Sequence, residues 1–126
     1  MGIVATASDN SSQASNLLDR LAYTRWETNW TYPIDASFTL DLGSARQVGV
    51  AKWQIGAVSM AQSFSVQVLK DDGTWETIAT RTAGPTSNAW QDQAINRQTS
   101  AVRWFFTNPT NYGRLGSFSE VQLFAP

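Results

Sequence analysis

The sequence predicts an all-β fold: a β-sandwich of jelly-roll type, with about eight mainly antiparallel strands in two sheets. Short runs alternate polar and apolar residues, turn signals separate them at intervals of roughly ten residues, and helical periodicity is almost absent. In chain order, residues 14–23 hold the one helical signal, a short turn with Ser15 or Asn16 as cap and Leu17, Leu18 and Leu21 facing inward. Residues 37–42 and 63–69 alternate as half-buried strands do, and 75–79 and 121–124 repeat the pattern. Lys70-Asp71-Asp72-Gly73 is a tight-turn signal, with Gly73 able to take positive φ. Residues 48–55 and 101–106 are more continuously apolar and read as deeper strands. Trp26, Trp53, Trp75 and Trp104, with Phe38, Phe64, Phe118 and Phe124, are expected in the core. No repeat, low-complexity tract or linker divides the chain, so residues 1–126 are read as one domain.

Composition narrows the function. Hydrophobic residues make up 42% and charged residues 15%, and the net charge is −1 with no basic cluster. Nucleic-acid binding relies on neutralising phosphates, and docking on anionic membranes relies on Lys and Arg, so both are disfavoured. The chain has neither His nor Cys, which removes the commonest general base, the usual zinc ligands and the nucleophile triads. Glu27, Asp35 and Asp92 remain as acids without an assigned place, but no facing pair of the kind a glycosidase needs is evident. A lyase using Tyr112 and Arg114 is conceivable, and the reading favours no enzyme.

Five segments in order resemble the discoidin (coagulation factor 5/8 C-type) domains, and especially carbohydrate-binding module family 32. The first is Asn16 through Trp26, with Asp19, Thr24 and Trp26 at the positions of that family's Asp-Gly-Asp-x-x-Thr-x-Trp loop. Next come Asp41-Leu42-Gly43, the hairpin Asp72-Gly73-Thr74-Trp75, Val102-Arg103-Trp104, and Ser119-Glu120-Val121. In the first loop Arg20 stands at the family's Gly and Leu21 at its second Asp. The resemblance implies a structural Ca²⁺ held by side chains of Asp19, Thr24 and Glu120 and by carbonyls of Asn16, Leu21 and Ser119. A hard cation accepts such an all-oxygen set. From the residues alone the alternative stands that Asp19 caps a turn and Glu120 pairs with Arg25.

Sugars offer apolar ring faces edged with hydroxyls, so their sites combine an aromatic platform with amide or charged side chains. Three loops carry that mixture: Trp30 and Tyr32 in the first, Met60 and Gln62 in the second, and Asn108, Asn111, Tyr112 and Arg114 in the third. Arg81, Asn88 and Trp90 make a further cluster. Trp30 and Tyr32 have the alternative of folding back over the core edge, and the second loop lacks the basic residue many relatives use to grip a hydroxyl. The resemblance implies a non-catalytic module that binds an oligo- or polysaccharide, in an extracellular protein secreted by a bacterium and covalently linked to a catalytic domain. Two readings compete with it: phospholipid binding through Trp30, Met60 and Leu115, and cell adhesion through protein recognition.

Overall fold

The computed structural model describes residues 3–8, 11–19, 26–27, 36–56, 63–82, 89–106 and 117–126. Among them are strands β1 (Val4–Ala7), β2 (Trp26–Glu27), β3 (Ala36–Ile55), β4 (Ser63–Leu69), β5 (Trp75–Thr82), β6 (Trp90–Phe106) and β7 (Ser117–Phe124), and a 3-10 helix at Ser11–Leu18. Every described pairing is antiparallel. The two runs expected as separate strands at 37–42 and 48–55 are arms of the single strand β3.

The bend between those arms is written in Asp41-Leu42-Gly43. The Asp41 carboxylate accepts the Gly43 amide at 2.8 Å, and Gly43 sits at φ +80°, where a side chain would be strained. Arg46 then donates to the Leu42 carbonyl at 2.9 Å. Further along, Asn96 of β6 sits at φ +51° at a second irregularity, between the Val48–Arg97 and Val50–Ala94 pairs. The register of β3 against β6 shifts on both sides of the bend, between Asp41 and Arg46 and between Val48 and Val50.

Both long strands therefore run through two layers. In one layer, β1 pairs with the first arm of β3, which pairs with the second arm of β6, followed by β4 and β5. In the other, β7 pairs with the second arm of β3 and β2 pairs with β7. The layers meet through aromatic rings: Phe38 on Phe118 at 5.5 Å, Phe64 on Phe118 at 5.4 Å, and Trp53 on Trp104 at 5.9 Å. Trp26, Trp53, Trp104, Phe38, Phe64, Phe106 and Phe118 are fully enclosed. Polar links cross with them, among them the Trp53 indole donating to Gln91 Oε1 at 2.7 Å and Gln91 donating to the Thr82 carbonyl at 3.1 Å. Among the described residues the buried Trp104 indole N–H has no hydrogen-bond partner.

The hairpin between β4 and β5 turns where its residues require. Gly73 has φ +86° and donates to the Lys70 carbonyl, and Lys70 donates to the Thr74 carbonyl. Asp72 accepts from both the Thr74 hydroxyl and the Thr74 amide. Those two bonds hold its carboxyl below the usual carboxylate range.

Three core expectations are corrected. The helical turn is a 3-10 helix that begins earlier, burying Ala14 and Leu17. Trp75 is half-buried on the outside of its layer, stacked on the Arg103 guanidinium at 4.3 Å, because its position in the hairpin ladder opposite Leu69 turns it away from the core. Phe124 is 44% exposed. The register of β7 on β3 slips by one residue between the Ile55–Phe118 and Gln54–Glu120 pairs, and beyond such a bulge every residue changes face. Val121 and Leu123 thus turn inward, and Phe124 turns out.

Gly49 marks a close approach. A Cβ there would lie 2.8 Å from Pro126 Cα and 2.9 Å from its nitrogen. Gly49→Ala is expected to cost about 1–3 kcal/mol in urea unfolding. Removing residues 125–126 should erase most of the difference between parent and variant, and an unchanged midpoint in the full-length variant would show that Pro126 moves aside freely.

Candidate functional site

The ladders place the relevant chain ends together. Ala36 pairs with Phe106, Ser63 with Thr82, Gln54 with Trp90, and Ile55 with Phe118. Trp26 and Glu27 pair with Phe118 and Ser117. Ile55 donates to the Ala89 carbonyl at 2.8 Å, and Gly56 donates to the Ser117 carbonyl at 2.9 Å. These are the strand ends that flank residues 28–35, 57–62, 83–88 and 107–116, and all of them lie at one end of the sandwich. Beneath that end Trp26, Phe38, Phe64, Phe106 and Phe118 touch one another at centroid distances of 5.0 to 6.4 Å. Close-packed rings of this kind resist deformation, so the strand ends form a stiff rim. Of the expected ligand residues, Trp30, Tyr32, Met60, Gln62, Asn108, Asn111, Tyr112 and Arg114 lie outside the described residues, as does Asn88.

Arg81 and Trp90 are described, and the structure separates them. Arg81 donates from Nη1 to the Asp92 carbonyl at 2.6 Å and to Gln93 Oε1 at 3.0 Å, and its guanidinium carbon lies 5.5 Å from the centroid of a Trp53 ring. It ties the edge of β5 to β6 across the open side of the sandwich. Trp90 opens β6 and is 48% exposed, opposite Gln54 on the outer side of the second layer.

Among the residues expected to hold a cation, Leu21 and Thr24 lie outside the described residues. Asn16 lies in the 3-10 helix and Asp19 just beyond its end, both partly exposed. That helix packs on β1, β2 and β7. Ser119 and Glu120 occupy the β7 bulge, 0% and 6% exposed. The Ser119 hydroxyl donates to Gln54 Oε1 at 3.0 Å. Leu18 and Glu120 line the same groove, so the end of the 3-10 helix and the bulge are neighbours. No group of three His, Cys, Asp or Glu side chains occurs among the described residues. The expected set of carboxylates, a hydroxyl and backbone carbonyls is one that suits a hard cation. Among the described residues no helix is long and apolar enough to cross a membrane.

The sequence reading passed over the outward residues of residues 48–55. Lys52 is exposed and Gln54 partly exposed, between buried Ala51, Trp53 and Ile55. The signal was there as alternation, masked by the apolar residues around it.

Comparison with known proteins places this geometry. A family profile described as a NedA-like, galactose-binding domain of the F5/8 type C class matches residues 6–104. A search of curated protein sequences finds no match. Chitosan-binding module 1 of a chitosanase/glucanase from Paenibacillus sp. IK-5 is 27% identical, with a TM-score of 0.77 over 97% of this chain and 94% of that one. A truncated AlyQ with family 32 and alginate lyase domains is 25% identical, with a TM-score of 0.78 over 96% of this chain and 31% of that one. The family 32 module of NanJ from C. perfringens, solved with galactose, is 18% identical and shares the fold, with a TM-score of 0.79 over 96% of this chain and 92% of that one.

Proposed function

The chain belongs to the F5/8 type C family, as a NedA-like, galactose-binding domain of the kind found in family 32 carbohydrate-binding modules, and from that premise we propose that it binds a glycan without catalysing its conversion. The observation that carries the reading is the convergence of all the flanking strand ends on one rim above the aromatic cluster. A stiff rim holds the flanking ends of residues rich in aromatic and amide side chains, and fixed ends lower the ordering cost of binding. Trp30, Tyr32 and Tyr112 serve as platforms. Met60, Gln62, Asn108, Asn111 and Arg114 grip the edges of the sugar, with Arg114 able to pair with a uronate or sulfate.

A Ca²⁺ held by Asn16, Asp19, Leu21, Thr24, Ser119 and Glu120 would fasten the first loop to the last strand. Its role is structural, because catalysis needs an open coordination position with a placed water. Sites that contact one or two sugars bind weakly, and a millimolar constant corresponds to about −4 kcal/mol. Useful attachment then comes from tethering. We therefore assign the domain to an extracellular bacterial enzyme acting on polysaccharide, in which it raises the local concentration of the catalytic domain. The presence of a family 32 domain beside a lyase domain in AlyQ supports that arrangement.

The test is a glycan array of plant, algal, microbial and animal glycans run with calcium present, followed by titration of Trp30→Ala and Tyr112→Ala against a responsive glycan. Each is expected to weaken binding by about 0.5–1.5 kcal/mol or more, with the melting temperature nearly unchanged. Parent-like affinity in both variants means that the loop-end site is misplaced. Co-sedimentation with phosphatidylserine vesicles, in the absence of any glycan response, favours the lipid reading.

A further inference from the structure

We infer that the outer face of the β6–β3–β7 layer, which starts at the rim with Trp90 and runs away from it to Phe124, is a second carbohydrate surface, which takes an extended, uncharged polysaccharide chain. On this layer Ala51, Trp53 and Ile55 point into the core, so their neighbours point out. The registers set these outward residues in cross-strand rows. Trp90 lies opposite Gln54, which lies opposite Glu120; Asp92 opposite Lys52, opposite Gln122; and Ala94 opposite Val50, opposite Phe124. The two exposed aromatic residues, Trp90 at 48% and Phe124 at 44%, stand at diagonal corners of this face. They are separated by four residues along the strands and two strand spacings across, roughly 13 Å by 10 Å between backbone positions. Several linked sugar rings span that distance, and one ring does not.

Two open grooves border this face. One of about 520 Å³ passes Trp90, Gln54, Gln122 and Phe124 and continues over the edge of β7 to Ile3 and Leu18, and one of about 250 Å³ lies among Lys52, Trp90, Gln91, Asp92 and Gln122. The charges decide the class of polymer. Lys52 and Asp92 stand opposite each other but form no ion pair within 4.0 Å, and the Lys52 ammonium instead lies over the Phe124 ring at 5.4 Å. One cation and one carboxylate in the same row leave no net charge to draw either a polyanion or a polycation. With the Gln122 amide, they supply both donors and acceptors, which is what hydroxyls require. The bulge that turns Phe124 outward creates the second platform, so the surface depends on the same irregularity that buries Glu120.

The test is native affinity electrophoresis of the whole chain in gels containing laminarin, β-1,4-galactan or xyloglucan, with pectin and alginate gels beside them. The parent should be retarded by at least one neutral polymer. The double variant Trp90→Leu with Phe124→Ser should lose at least fivefold in affinity, while Trp90→Phe, which keeps a ring, should retain most of it. Both positions are about half exposed, so thermal melting should confirm folded variants. Three results overturn the inference: equal retardation of parent and double variant; retardation of the parent by the acidic polymers only or by none; or self-association of the parent that the double variant abolishes, which would make the face an interface between copies. Tyr112→Ala serves as the control at the loop end. Loss of short-oligosaccharide binding in that variant alone, with polymer retardation kept, separates the two surfaces.

Discussion

Phe118→Ala should lower the unfolding free energy by about 3–5 kcal/mol, the range for truncating a buried aromatic residue. Phe118 is 0% exposed and contacts Phe38, Phe64 and Phe106 at 5.4 to 5.7 Å, so its ring is where the two layers interlock at the loop end. It also pairs with Trp26 and Ile55 at the start of β7. Neighbouring rings held by three strands cannot collapse into the space, so the cavity adds to the lost transfer energy. Against a total of about 5–15 kcal/mol, the loss is large and should appear as a fall in melting temperature of roughly 10–20 °C. Phe124→Ser is the matched comparison. The same residue type six positions on, turned outward by the bulge, should cost under about 1 kcal/mol. Urea unfolding with an unchanged slope reads both. Equal costs would mean that Phe124 is packed inward and that the register slip in β7 is absent.

That pair of phenylalanines shows what the sequence could and could not tell. Alternation identified the strands at 37–42, 63–69, 75–79 and 121–124 but not β1, β2 or the first arm of β6, and the Asp72-Gly73 turn located a hairpin correctly because its conformation is decided by two or three adjacent residues. Trp26, Trp53, Trp104, Phe38, Phe64 and Phe118 were legible as core for the same local reason. Asp41-Leu42-Gly43 was legible as the end of a run, but not as a corner through which one strand passes into the second layer. A corner and a terminus use the same local chemistry, and only the pairing of β3 with β6 on both sides distinguishes them. The bulge in β7 was illegible, because one unpaired residue leaves no composition signal yet reverses the face of everything after it. Arg81 read as a loop cation, whereas the structure uses its guanidinium to join β5 to β6. The resemblance indicated which loops carry aromatic and amide residues. The strand ends that flank those residues are described, and they lie together at one end of the sandwich.

Calcium should raise the melting temperature of the protein, and a chelator should lower it. Glu120 lies in the β7 bulge at 6% exposure, beside Ser119 and close to the end of the 3-10 helix that precedes Asp19. A carboxylate taken out of water is costly unless a cation or several donors compensate it. A hard cation would do so while drawing the first loop against β7. Binding to the folded state alone adds about 2.7 kcal/mol when free ion is a hundredfold above its dissociation constant, which is roughly 10 °C for a domain of this size. Glu120→Gln keeps the shape and removes the charge, so it should melt at the same temperature with calcium or chelator. Asp92→Asn, on the exposed face of β6, should keep the full calcium increment. A parent melting curve indifferent to calcium, or an increment that survives in Glu120→Gln, removes the ion from this position. The pairing of Glu120 with Arg25 that the sequence leaves open would then be the reading to test, and Arg25→Ala should cost the stability that chelation did not.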